Sequence, residues 1–310
     1  MTMARVFADT LPGLDGWCQR WRERTPRWSD LHQGGFDARR YAVTVLDEAP
    51  ARAFCTAHHY SSAWPAARLR YGLIDLCDRG EHAGRPGAVP VAGGTLVGVL
   101  VLGVPMHVGV LLGPFPTLEP YQESLELSRL VLLDAVAANG ESWFCAHAFR
   151  LAAEVGVRGL VAFSDPVPRW RTASGHSELI MPGHCGYVYQ GLGSAYLGRA
   201  TPRTLTVLPD ATVLTARALA KVRNGEQGHL GVAARLVGLG ASPLLPAQNR
   251  AGWLRQALSE VGARQLRHGG NHRFAFALGR TRAERSRVTI AQPAHPYPKL
   301  PDQHPGWTAA

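Results

Sequence analysis

The sequence predicts an α+β fold: a mixed, mostly antiparallel sheet flanked by helices, with a helical extension toward its C-terminal end. Three observations carry this. Strand-like and helical runs follow the order strand, helix, three strands, helix, strand, helix, strand, which lacks the regular alternation of a parallel α/β protein. The apolar runs are short and cut by Gly, Pro and polar clusters, as strands of a sheet are. Finally, 46% of the 310 residues are hydrophobic and 18% charged, with a mean hydropathy of -0.08, so a core can form and a disordered chain is excluded.

Residues 1–40, with "GWCQRWRERTPRWSD", are expected to form an N-terminal cap made of a short helix plus loop. "YAVTVLDEAPARAFCTAHHYSSAW" gives a strand over 41–46 and a helix over about 48–58, whose end delivers His58, His59 and Tyr60. "RLRYGLIDLC" and "TLVGVLVLGVP" are antiparallel strands joined through the turn-rich "DRGEHAGRPG". The longest apolar run, 95–113, is broken by glycines, Pro105 and His107, which marks a buried strand and not a membrane span. "SLELSRLVLLD" is the next strand and a helix follows over about 140–155. "GLVAFSDP" is then a short buried strand that must stop at Pro166, because proline cannot donate to a ladder. "PGHCGYVYQGLGSAYLGR" has the pattern of an irregular helix and "RTLTVLPD" that of a strand, closing a main domain over 41–210. Helical patterns at 212–223, 227–239 and 249–261, then "HRFAFALG" as a terminal strand, make an extension over 211–280. The remainder, 281–310, is a proline-rich tail expected to be extended or disordered. The order of elements resembles the GCN5-related N-acetyltransferase fold. That resemblance implies a splayed site at the fourth strand and the helix after it, where backbone amides bind the pyrophosphate of acyl-CoA.

Cys18, Cys55, Cys77, Cys145 and Cys185 form an odd set without a CxxC pair. This speaks against a disulfide framework and a cysteine zinc site, and points to a reducing cytoplasm. The opening residues lack a basic-then-apolar pattern, so no secretory signal is expected. A net charge of +10 and a pI near 9.9 suit DNA, RNA or a phosphate-rich cofactor, or else simply a basic surface. The C-terminal helices, with Arg217, Lys221, Arg223, Arg250, Arg255 and Arg264, supply many of these charges and loosely resemble a helix-turn-helix.

The joint "DAVAANGES" places Asn139, Gly140 and Ser142 at a helix N-terminus, where unpaired amides favour an anion; plain capping by Asn139 or Ser142 is the alternative. It lacks the acetyltransferase pattern Q/R-x-x-G-x-G/A. In "ELSR" strict alternation puts Glu126 with Ser128 on one face and Arg129 with Leu127 on the other. Arg129 then forms a salt bridge with Glu126 or Glu123, or clamps an anion. Asp165, at the end of a strand, is a general base, a metal ligand or the cap of a turn. His58 and His59 diverge if the helix continues through them, but His59 or His58 with Asp165 and His184 makes a set fit for Fe or Zn. Tyr187 and Tyr189 share a face only in an extended segment. There they would stack on an extruded base; in a helix they pack.

Taken together, "HHYS", "RYGL", "ELSRLVLLD", "NGESWF", "FSDPVPR", "PGHCGYVYQ" and "PRTLTVLPD" resemble the Mom family of phage DNA-modification proteins, over about residues 55–210. The resemblance implies an acetyltransferase-like catalytic domain that converts adenine in duplex DNA to its N6-carbamoylmethyl form and so shields it from restriction. It implies a site lined by His59, Tyr60, Arg129, Ser142 and Asp165. The resemblance leaves the donor open, with acetyl-CoA or another acyl or glycyl-type compound as the candidates and iron or zinc as a further expectation. Alternatives are an acyl-CoA-dependent N-acyltransferase acting on a small amine or a protein, and a DNA-binding antirestriction protein without catalysis. The expected partner is double-stranded DNA, in the host cytoplasm, with no membrane.

Overall fold

The computed structural model describes residues 17–22, 25–30, 36–59, 63–77, 90–91, 93–133, 135–137, 139–173, 176–181 and 183–299, with the backbone alone for 17–30, 90–91 and 169–181. In chain order the elements are β1 (Trp17–Arg22), β2 (Thr25–Asp30), β3 (Tyr41–Val45), α1 (Glu48–His58), β4 (Ala67–Asp75), β5 (Pro90–Val91), β6 (Gly94–Gly103), α2 (Gly109–Leu112), β7 (Ser124–Leu132), α3 (Gly140–Glu154), β8 (Gly159–Ser164), β9 (Arg169–Ala173), β10 (His176–Met181), α4 (Tyr187–Gly191), β11 (Ala195–Arg199), β12 (Arg203–Val207), β13 (Val213–Leu214), α5 (Ala216–Asn224), α6 (His229–Gly238), α7 (Arg250–Glu260), β14 (Arg264–His268), β15 (His272–Ala277) and α8 (Arg282–Ser286). The described residues fall into two units. One holds the chain up to Pro166, Met181–Ala200 and the residues from Asn271 on; the other holds Val167–Ile180 and Thr201–Gly270.

The first unit is built on one sheet of order β3-β4-β6-β7-β8-β15-β11, with β5 paired to β6. Every neighbouring pair is antiparallel except β7 and β8. Parallel neighbours need a crossover, and α3 supplies it. β6 lies mid-sheet with every residue from Leu96 to Gly103 buried, which explains why its sequence is a continuous apolar run and not an alternation. The main core packs Leu73, Leu100, Phe144 and Phe274. A smaller one gathers Leu111, Phe115, Val161, Leu197 and Ala275. α1 packs on β4, β6 and β7.

An ion pair ties the start of β3 to the end of β4. Arg40 Nη2 donates to Asp75 Oδ2 at 2.6 Å and Nε to Oδ1 at 2.9 Å, while Asp75 also accepts the Cys77 N–H at 3.0 Å. The Asp75 side chain is 1% exposed. Removing one partner of a buried pair strands the other, so Asp75→Ala is expected to lower stability by about 3 kcal/mol in urea titrations.

Several expectations are corrected. The described part of the N-terminal cap is an antiparallel β1–β2 hairpin and not a helix; Pro26 breaks a helix there, and strand pairing satisfies the backbone instead. The segment expected as an irregular helix over 182–199 is the short α4 followed by the strand β11. "HRFAFALG" is not the last piece of the extension but the inner strand β15, between β8 and β11. β12, placed by the sequence in the 41–210 domain, pairs with β13 and β14 in the second unit. The described part of the 281–310 tail begins with α8 and then runs extended against the first unit, where the His295 N–H donates to Tyr196 O (2.8 Å) and the Tyr297 hydroxyl to Ser194 O (2.6 Å). Residues 300–310 lie outside the described residues.

The second unit packs α5, α6 and α7 around Leu236, Leu254 and Trp253, whose Nε1 donates to Ser242 O at 2.9 Å. Cys55, Cys145 and Cys185 are buried free thiols and Cys77 is exposed. Among the described residues no helix is long and apolar enough to cross a membrane.

Candidate active site

β7 decides the geometry. On one side it pairs with β6 from Glu126↔Gly103 to Leu132↔Gly98, while on the other its parallel pairing with β8 stops at Leu127↔Ala162. Ser128 is the extra residue of a bulge: Leu127 faces Leu102, Arg129 faces Val101, and nothing faces Ser128. Beyond it two inner strands part, leaving Ser128–Leu132 without a β8 partner. The two strands splay where most sheets stay paired.

The bulge also corrects the expected faces. Residues opposed in a ladder share a face, so Arg129 follows Val101 and Glu126 follows Gly103, both on the face opposite Leu127. Arg129 and Glu126 therefore look the same way. The guanidinium is nevertheless fixed by carbonyls: Nε and Nη2 donate to Ala63 O at 3.1 and 2.8 Å, and Nη1 to Ser128 O at 2.6 Å. Burial holds the Glu126 carboxyl above its ordinary range against the pull of Arg129.

His58 and His59 diverge as expected. His58 is buried against Phe54, with ring centroids 4.6 Å apart. His59 is the C-cap of α1, its N–H bonded to Cys55 O, and faces Arg129 and His184. Burial first, then these two neighbours, push its pKa down to about 3. The backbone N–H of His184 donates to Asp165 O at 2.8 Å, and burial lowers its imidazole despite the attraction of Asp165. Asp165 follows β8 and is 6% exposed. Arg129, His59, His184 and Asp165 thus form one electrostatically connected group.

Sequence reasoning missed two members. His272 at the start of β15 lies opposite Ser164, and its Nδ1 is 2.7 Å from the Tyr196 hydroxyl of β11. Its pKa falls to about 4 through burial, Arg199 and His184, opposed in part by Asp165. The signal was present: His272, Phe274 and Phe276 alternate in "HRFAF". It pointed at the site only once β15 was known to lie beside β8.

Other candidates are placed elsewhere. Ser142 donates to Asn139 O at 3.0 Å and makes no other described bond. Asn139, at φ 74, gives α3 no side-chain cap. Gly140 is required because a Cβ there would meet Val136 Cγ1 at 2.5 Å. Tyr189 is buried against Phe274 and Phe276 on a helix, so it packs and does not offer a stacking platform; Tyr187, two residues earlier on the same helix, does not share its face. Tyr60 lies outside the described residues. Among the described residues no three His, Cys, Asp or Glu side chains converge to hold a metal, so the set of His59, Asp165 and His184 is not arranged as a ligand cage.

The fold, a mixed and mostly antiparallel sheet flanked by helices and parted between two inner strands, is of acetyltransferase-like architecture. The chain matches the model of the Mom protein family over residues 40–299 and belongs to that family, and so to the transferases that modify DNA. Among solved structures it is similar to a tandem GNAT protein from the clavulanic acid biosynthesis pathway, without AcCoA, at 13% identity, covering 81% of this chain and 72% of that chain with a TM-score of 0.30. It is also similar to a structure described as a phosphinothricin N-acetyltransferase, at 13% identity, covering 45% of this chain and 94% of that one with a TM-score of 0.23. No curated protein matches the sequence.

Proposed function

We propose that the chain transfers a carbamoylmethyl, glycinamide-like group to N6 of adenine in duplex DNA, protecting that DNA from restriction. One observation carries the reading: Arg129, His59, His184 and Asp165 meet beside the β7–β8 splay in a member of this family. The target base leaves the stack to reach such a site, since its amine is not accessible in a closed duplex. N6 is a poor nucleophile because its lone pair is delocalised into the ring. In the transfer, N6 forms a bond to the donor carbon, the bond from that carbon to its leaving group breaks, and the amine proton passes to Asp165. His59 and His184, neutral at pH 7, place hydrogen bonds without adding charge. Arg129, held by Ala63 O and Ser128 O, keeps a fixed cation for an anionic part of the donor. The N-terminus of α3 suits a phosphate of an acyl-CoA donor, and no step is routed through a metal.

The test is nucleoside mass spectrometry of plasmid DNA from cells expressing the protein. A deoxyadenosine carrying the added mass supports the reading; unmodified DNA sinks it, and tight DNA binding would then favour protection by occupancy. Arg129→Ala is expected to lower the modified fraction at least tenfold with an unchanged melting temperature. A second reading, acyl transfer to a small amine or protein, is favoured by the α3 amides and predicts acetyl-CoA binding in calorimetry without dependence on DNA.

A further inference from the structure

We infer that His272, held by Tyr196 and facing Ser164, contacts the hydrogen-bonding edge of the target base; this rests on the transferase reading above and assigns where its substrate sits. Three features support it. The register places His272 directly opposite Ser164 across the β8–β15 ladder, so imidazole and hydroxyl share a face, one residue before Asp165. Ser164 is 1% exposed and its Oγ has no hydrogen-bond partner among the described residues. Such an orphan is costly in a packed interior and marks a place where a ligand completes the bonding. The imidazole is likewise half engaged: Nδ1 meets the Tyr196 hydroxyl, and Nε2 meets no described group.

Tyr196 is itself braced. Gly198, at φ 75, forms a bulge in β11 that brings Arg199 opposite His272, and the His295 N–H fastens Tyr196 O from outside. The phenol acts through the imidazole, so Tyr196 is a positioning residue. The charged and titratable groups facing this pair are Arg199, His184 and Asp165 around His272, and Arg199, Cys185 and Arg273 around Tyr196. Burial keeps the imidazole neutral and the phenol protonated at pH 7. A neutral imidazole beside a lone hydroxyl suits an uncharged heterocycle with its own N–H donors and ring-nitrogen acceptors; it does not suit a phosphate. By register Arg129 lies on the sheet face opposite Ser164 and His272, so in this reading the donor's anionic part and the base take opposite sides of the β7–β8 splay.

Ser164→Ala tests this sharply, because removing an orphan hydroxyl leaves melting temperature equal or raised. The expected result is that stability together with at least a tenfold loss of modified deoxyadenosine in plasmid DNA. Full modification by Ser164→Ala and by His272→Gln overturns the inference, whereas a wild-type protein that modifies nothing overturns the transferase reading instead. A second measurement stands independently of activity. In the full chain labelled with 15N-histidine, the His272 ring signals should move on adding an adenine-containing oligonucleotide and not an all-thymine one. Tyr196→Phe should change the His272 tautomer signature and weaken that response at least fivefold. Equal responses to both oligonucleotides, or none, count against base contact at this wall.

Discussion

Asp165→Asn is expected to lower the fraction of modified deoxyadenosine at least a hundredfold while shifting the melting temperature little. The substitution keeps size and polarity and removes only the ability to take a proton as a carboxylate, and positioned bases contribute about 10²- to 10⁴-fold. Asp165 is the one group of the cluster suited to the task. The imidazoles of His59 and His272, with pKa values pushed to about 3 and about 4, are too weakly basic to capture an amine proton at pH 7. His184 is lowered in the same direction. Quantitative nucleoside mass spectrometry on matched expression levels checks the expectation. Retained modification would move the base elsewhere, and loss of folding in place of activity would make Asp165 a structural residue.

The second large effect is on stability against acid. His59, His184 and His272 are all held below the ordinary imidazole value of 6.5. Between that value and each folded pKa, the unfolded chain binds protons that the folded chain refuses. Stability is therefore complete above about pH 6.5 and declines as pH falls, by up to about 1.4 kcal/mol per pH unit for each imidazole. Glu126, whose carboxyl is pushed upward, works in the opposite sense, but one carboxyl opposes three imidazoles. Urea midpoints measured from pH 7.5 to 4.5 should fall steadily, and His59→Gln should make the slope shallower. A flat profile over that range would contradict the neutral, buried histidines on which the site depends.

Much of the first unit was legible in the sequence because local patterns are written along the chain. The strand of β4, the continuous apolar run of β6, the α1 helix ending at His59 and the crossover helix α3 all follow from periodicity and punctuation. His59, Arg129, Asp165 and His184 stood out for the same reason: a helix end, a charge inside a strand, a strand end before proline. What failed was whatever a single insertion or a distant partner controls. One bulge at Ser128 turned Arg129 to the other face, which strict alternation could not foresee. Tyr189, left between a stacking ring and a packed one, proved to be core, because Phe274 and Phe276 arrive from the distant strand β15.

Residue order by itself determined the α+β class, the succession of β3, β4, β6, β7 and β8, family membership and four of the charged or titratable side chains of the candidate site. Tertiary structure alone decided that β15 returns to lie between β8 and β11, bringing His272 onto Tyr196 and Ser164, and that β7 parts from β8 at Leu127. The reason is physical: periodicity reports which face of an element is apolar, but which strand lies beside which, and where a ladder stops, depends on contacts between residues far apart in the chain.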